Sequence, residues 1–436
     1  MALGVLNRVV YRGAYADVAL SNALARSELP AADRSLVTEL VYGSLRRLNT
    51  IDYQLELFLK RPLLHLPPVI RNILRLGAYQ LLFMHVPPHA AVDESVKLAK
   101  IYGHKGTASL VNAVLRKVAD SGCLILEADP VKRLALESSV PEWLVRLWSD
   151  YLGFEETRRL CLASSERPPV TIRTNTLKTT RAQLKADMGN DGILAFECEL
   201  APEGLVLEGA GDPAGTRWFR EGLYYVQDEA AMLVSRVLCP EGGETVFDLC
   251  AGPGGKTTHL AALMGGLGRI VAFELHRERA RMVEEACRRM GVGIVEIVDG
   301  DARREATAFG PVADKVLLDV PCSGMGVLRR RVDLKWRMSS DRFEGLVDVQ
   351  RELMLAGAAC LRPHGVMVYS TCTINPMENE GQVDWFLKNH PDFELDDVRH
   401  GFEALPESAL SGKFLRLMPH IHGTDGFFAA RMIKRG

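Results

Sequence analysis

Two cysteines stand in settings where a thiol could react. Cys322 lies in Asp319-Val-Pro-Cys322-Ser-Gly324 and Cys372 in Tyr369-Ser-Thr-Cys372-Thr373, each directly after a short apolar run. The thiolate is the attacking form of cysteine, and from a resting pKa near about 8.5 it needs local activation. Two thiols at neighbouring strand ends could share one covalent reaction. One would add to an electrophilic carbon, and the other would assist the elimination that frees it. Cys287 and Cys360 fall inside helical patterns instead and read as inert core residues.

A second chemical feature lies upstream in Asp248-Leu-Cys-Ala251-Gly252-Pro253-Gly254-Gly255-Lys256-Thr257. It ends an apolar strand and opens a helix, the layout of a cofactor loop in a doubly wound fold. Its glycines permit a tight turn and close approach of main chain to a ligand. Gly-Lys-Thr also invites a phosphate-loop reading, but that pattern needs a glycine where Cys250 stands, so the triphosphate reading is weak. Glu274 follows Gly254 by 20 residues, where an acid ordinarily holds a ribose. Asp301 closes the next strand, placed for an adenine amino group. Three successive strands ending in Asp248, Glu274 and Asp301 argue for one ligand-binding edge.

These residues need a parallel sheet to bring them together, and the sequence supplies its parts. Apolar runs at Thr245–Cys250, Ile270–Leu275, Ile294–Val298, Lys315–Val320 and Val366–Ser370 predict strands. Thr257–Met264, Arg277–Met290 and Phe343–Leu361 predict helices between most of them. Gly426–Ile433 reads as a late strand that pairs antiparallel at the sheet edge. Upstream, residues 166–225 mix a β-rich Val170–Asn175 with a helix from Thr179 to Met188 and further short strands. Trp218, Phe219 and Tyr225 there read as core aromatics. Residues 126–165 read as a helical connector, with Pro141 at a helix start and Leu144 and Trp148 on one face. Residues 1–125 look all-helical, with apolar positions at helical spacing from Leu36 to Leu48 and from Ile70 to Leu81. Further helices run over Ala91–Tyr102 and Ala108–Ala119, and the pairs Pro67-Pro68 and Pro87-Pro88 punctuate them.

At 436 residues the chain is too long for one core, and its 47% hydrophobic and 25% charged residues exclude a disordered or fibrous class. No apolar run approaches the roughly 20 residues that span a bilayer. The nine cysteines are odd in number and include no Cys-x-x-Cys pair, so neither a disulfide framework nor a zinc site is expected. The start, Met1 to Arg8, lacks a signal-peptide layout. A cytoplasmic protein with no metal and no membrane partner is the expectation, and nothing points to an obligate oligomer. The net charge of −2 hides an asymmetry: residues 1–118 hold 15 basic and 8 acidic side chains, a net +7, which leaves −9 for the rest. A basic N-terminal third suggests a partner that carries phosphates.

Two thiols beside a methyl donor would suit one problem in particular. C5 of cytosine is too poor a nucleophile to take a methyl group directly, but a thiolate added to C6 turns C5 into an enamine carbon. An acid at N3, here Asp319, would stabilise the ring, and a base would later remove the C5 proton. The two cysteine motifs, read with Asn375-Pro-Met-Glu-Asn379, Gln227–Ala230 and His422–Phe428, resemble the RNA (cytosine-5) methyltransferase family. The run Ala31–Gly43 is similar to the RNA-binding domain of the antiterminator NusB. The combination resembles the bacterial Sun/Fmu branch, whose substrate is one cytosine of 16S ribosomal RNA, of the position-967 type.

That resemblance implies a multidomain fold: an all-α NusB-like domain, a small α/β (RRM/ferredoxin-like) module and an α/β Rossmann-like methyltransferase domain over residues 226–436. It implies S-adenosyl-L-methionine as cofactor, held by residues 251–257, Glu274, Asp301 and Asp319. It assigns attack to Cys372 and release to Cys322, which spacing alone leaves open. For the RNA, Arg329, Arg330 and Arg331 are candidate phosphate contacts near the target base, and Arg34, Arg46 and Arg47 are candidates in the helical domain. A methyltransferase for protein or small molecules would have no use for the paired thiols. An inactive assembly factor would have no reason to keep them with Asp319.

Overall fold

In a computed structural model the chain is described at every residue except Ala210 and Glu403, and at Arg342 for the backbone alone. It divides into two compact units, one of residues 1–167 with 328–337, the other of residues 168–327 with 338–436.

The first unit is helical, and the proline pairs start its helices. Pro67 and Pro87 are N-caps, and Pro68 and Pro88 occupy the first turn of Pro68–Phe83 and Pro88–Tyr102, where proline's missing N–H costs nothing. Ala31–Arg46 ends before Leu48, which opens a new helix, Leu48–Glu56. Leu36, counted into the apolar stripe, is 45% exposed. The core is built from Val5, Leu6, Ile51, Leu55, Ile73, Leu74, Val111 and Leu115. Gly43 lets two helices meet there, because a Cβ would run into the Tyr79 ring. The connector is part of this unit. Leu144 and Trp148 are fully buried, and Asn49 and Thr50 reach the carbonyls of Ala135 and Leu136.

In the second unit, strands β1 (Val170–Thr174), β2 (Leu194–Glu197), β3 (Gly204–Glu208) and β4 (Tyr224–Val226) form a four-stranded antiparallel sheet in the order β2-β3-β1-β4. The helix Arg181–Asn190 packs on it through Leu184 and Met188. Trp218 is core, as its setting suggested, Phe219 packs half-buried against it, and Tyr224 completes the cluster.

The larger sheet holds β5 (Thr245–Asp248), β6 (Arg269–Glu274), β7 (Val295–Asp299), β8 (Ala313–Asp319), β9 (Leu361–Thr371), β10 (Phe393–Asp396), β11 (Leu410–Ser411), β12 (Phe414–Leu417) and β13 (Phe427–Lys434). Its order is β11-β12-β13-β9-β8-β5-β6-β7, with β10 also on β13. β5 to β9 run parallel and β13 runs antiparallel to β9. The predicted edge position of the last strand is therefore corrected. β13 lies inside the sheet with β9, β10 and β12 as neighbours, and Phe427 through Met432 are buried. Burial at every successive position, here including Arg431, belongs to a strand covered on both faces. β9 also starts at Leu361, five residues earlier than its apolar run, and pairs Leu361 with Ala313 across a register shift. Among the described residues no helix is long and apolar enough to cross a membrane.

Candidate active site

The chain order reverses beside β5, with β6 on one side and β8 on the other. In open parallel sheets ligands bind at the carboxyl ends of the strands beside such a switch point. Asp248, Glu274, Asp319 and Cys372 all stand at or just past those ends.

The loop after β5 is a tight turn. Gly254 N–H donates to the Ala251 carbonyl at 2.7 Å, and Ala251 N–H to Phe273 at 3.0 Å. Gly254 takes φ +101°, a left-handed conformation that favours glycine, and caps the helix Gly255–Leu263. A Cβ at Gly252 would strike the Glu274 carboxylate, and one at Gly255 would lie 3.2 Å from the Tyr225 ring. The buried Glu274 carboxylate accepts from Gly252 N–H and His276 N–H, each at 3.0 Å. Its remaining lone pairs suit the two hydroxyls of a ribose. Asp301 is not a strand residue. It caps the helix Ala302–Ala308, and the Arg303 guanidinium grips its carboxylate at 2.6–3.0 Å and holds its pKa below the usual range.

Lys256 donates to Asp319 at 2.7 Å and lies 5.1 Å from the centre of the Phe427 ring. Thr257 is fully buried and donates to Asp248 at 2.7 Å. Its side chain therefore braces the acid below the loop. The phosphate-loop reading fails on the same contacts, because the lysine and hydroxyl that would serve phosphate and metal are both spent on carboxylates. Asp248 is fully buried, and burial pushes its pKa up to about 6.

The two candidate thiols meet. Cys322 Sγ and Cys372 Sγ are 3.4 Å apart at the ends of β8 and β9, both partly exposed. Asp319 pairs with Ser370 in register, and the Ser370 hydroxyl donates to it at 3.1 Å. The Cys322 pKa stands well above its ordinary value, first through the Cys372 sulfur and then through burial. No group of three or more metal-ligating side chains is found among the described residues.

Three contributors escaped the sequence reading. Arg173, fully buried, donates to Gln227, to the Gly255 carbonyl and to Thr258, the last at 2.9 Å. A lone arginine inside the β-rich run 170–175 was the available signal. Tyr225, grouped with the core aromatics, instead donates its hydroxyl to Pro253 at 3.2 Å. Glu378, present in the second cysteine motif without a role, is fully buried between the two cysteine loops.

The arginine triplet does not act as one surface. Leu328–Arg337 belongs to the helical unit, where Val332 joins the core. Lys335 and Trp336 donate to the carbonyls of Arg46 and Leu45 at 2.9 Å. Arg329 is 5% exposed and accepts at its carbonyl from Arg46, so neither side chain is laid out for solvent phosphates. Arg330 is half-buried and Arg331 exposed. Arg34 donates to Leu24 O at 2.8 Å, and Arg47 to Glu137 O at 3.3 Å.

Comparison with known proteins agrees with this architecture. The family description 16S rRNA methyltransferase RsmB/F matches residues 235–433, the NusB family matches 1–120, and a RsmF/B-like ferredoxin-like domain matches 140–213. The Probable ribosomal RNA small subunit methyltransferase B of Bacillus subtilis is 39% identical over 100% of this chain and 98% of its own length. The ribosomal RNA small subunit methyltransferase B of Vibrio cholerae is 34% identical over 92% and 94%. The crystal structure of PH0851 superposes with a TM-score of 0.84 at 30% identity, covering 100% of this chain and 99% of that one. With likeness of this degree along its whole length, the chain belongs to the RsmB/F family of 16S rRNA methyltransferases.

Proposed function

We propose that this protein methylates C5 of one cytosine in 16S ribosomal RNA, with S-adenosyl-L-methionine as donor and a covalent bond from Cys372 to C6. The observation that carries the reading is the pair of sulfurs 3.4 Å apart beside Asp319 and Lys256, at the ligand-binding edge of the sheet. The site fits the donor. The Gly252–Gly255 turn packs directly against Glu274, which keeps lone pairs free for a ribose. The adenine amino group would need Asp301 to share its grip on Arg303. When bound, S-adenosyl-L-methionine supplies the methyl group that C5 takes.

The chain's own residues do the rest. The Cys372 thiolate adds to C6, and Asp319 in its protonated form gives its proton to N3, so that C5 becomes an enamine carbon. Cys322 then accepts the C5 proton. The electrons of that C–H bond close the C5–C6 double bond and expel Cys372 as thiolate. Cys322 serves as this base in its thiolate form, so it gives up its own proton before the step. A base buried in a folded RNA would be splayed out to reach the sulfurs. The basic residues 1–118 would meet the phosphates of the RNA, with Arg331 a better candidate than the buried Arg329.

The test incubates Cys322→Ala with unmethylated 16S RNA and S-adenosyl-L-methionine, then runs a denaturing gel. A slow-migrating protein–RNA adduct, absent from Cys322→Ala/Cys372→Ala, is the expected result. No adduct from an RNA that the unaltered enzyme does methylate would overturn the assigned cysteine roles.

A further inference from the structure

β8 and β9 pair through Asp319 and Ser370, and Val320 N–H still reaches the Ser370 carbonyl at 3.1 Å. Beyond that point the two strands leave the sheet, and a single carboxylate takes over. Glu378 Oε1 accepts from Ser323 N–H at 2.8 Å and from Gln350 Nε2 at 3.1 Å. Oε2 accepts from the Ser323 hydroxyl at 2.5 Å and from Asn375 Nδ2 at 3.0 Å. Ser323 is the residue after Cys322, and Asn375 lies three residues past Cys372. The same two loops touch again where Ser323 Oγ meets Thr373 Oγ1 at 2.7 Å, and Gln350 ties in the Pro321 carbonyl at 3.1 Å. None of the four donors is a cation, yet they fill both oxygens of a carboxylate with no solvent exposure. Such a group is costly to bury and costly to disturb once its donors are in place.

We infer that Glu378 is a positioning residue for the release step: it clamps the Cys322 loop onto the Cys372 loop and so sets where the second thiol stands. Cys372 does not depend on it equally. Its own loop has separate ties, from Asn379 Nδ2 to the Thr373 carbonyl at 3.1 Å and from the Thr371 hydroxyl to Asn379 Oδ1 at 2.6 Å. The negative charge of Glu378 also contributes, after the neighbouring sulfur and burial, to raising the Cys322 pKa. Loosening the clamp should therefore spare attack at C6 and slow proton removal at C5, because a base displaced by about 1 Å can lose about a hundredfold in rate.

The inference rests on the covalent mechanism proposed above, and one gel separates the two. Glu378→Gln, Ser323→Ala and Cys322→Ala are each incubated with unmethylated 16S RNA and S-adenosyl-L-methionine beside the unaltered enzyme. Glu378→Gln should accumulate the same adduct as Cys322→Ala, with turnover lowered about a hundredfold. Ser323→Ala, which removes one of the four donors to Glu378 and the contact with Thr373, should show a smaller share of it. If Cys322→Ala gives the adduct and the other two lose turnover without it, or keep full turnover, the clamp is refuted and the mechanism stands. If Cys322→Ala gives none, the mechanism itself falls. Should Glu378→Gln fail to fold, Ser323→Ala decides alone: adduct supports the clamp, and its absence overturns it.

Discussion

The two halves of the site are held in different ways. The glycine loop after β5 is shaped by main-chain turns and braced from outside, by Arg173 and Tyr225 of the four-stranded module. The cysteine loops after β8 and β9 are braced from within, by side chains of the catalytic domain that meet at Glu378. The cofactor edge therefore depends on a neighbouring sheet, while the thiol edge is self-contained. Damage to the module should weaken cofactor binding before it touches the sulfurs.

Arg173→Met gives the largest expected break. It strips a buried cation from Gln227, the Gly255 carbonyl and Thr258, and orphaned buried acceptors cost about 1–3 kcal/mol each. A loss of about 4 kcal/mol in unfolding free energy, with S-adenosyl-L-methionine binding weakened more than tenfold, is expected by chemical denaturation and calorimetry. In a Cys322→Ala background, saturating donor should still yield the covalent adduct. A variant that binds the donor normally but forms no adduct would reverse the division between the two edges.

How much of this was legible in the sequence follows the same division. The glycine loop and its acids are local, so spacing placed Gly254 and Glu274 where the structure has them. The cysteines were legible as strand-end residues, because apolar runs end at them. Their 3.4 Å separation was not, because it arises where Glu378 and Gln350 fold back onto a Cys322 loop far from both in sequence. The arginines show the limit most clearly. Arg329–Arg331 look like a basic surface in sequence, but Val332 and Trp336 carry that stretch into the helical unit, and no local pattern announces a ten-residue insertion into another core. β13 was read as an edge strand because the short strands before it, β10 to β12, have apolar runs too brief to recognise.

Asp248 supplies a second, smaller test of the cofactor edge. Its pKa rises from 3.8 in the unfolded chain to about 6 in the fold, through burial. Between those values the folded state holds the extra proton, so stability falls as pH rises from about 4 to 6 and is level above that. The shift corresponds to roughly 3 kcal/mol. Asp248→Asn should remove this slope while Thr257 keeps an acceptor, and urea midpoints between pH 4 and 7 measure it. An unchanged slope in the variant would assign the pH dependence to another group.

Tyr225→Phe is the smallest and the sharpest. The ring remains 3.2 Å from where a Cβ on Gly255 would sit, so the shape of the loop is preserved. Only the hydrogen bond to the Pro253 carbonyl is lost, on the exposed side of the loop where water can replace it. A partly solvated neutral hydrogen bond contributes about 0.5–1.5 kcal/mol. Donor affinity should therefore fall by roughly threefold, with the share of trapped adduct at saturating donor unchanged. A drop as large as that of Arg173→Met would mean that the hydroxyl, and not the buried guanidinium, fixes the loop, and the brace would have to be reassigned from β1 to β4.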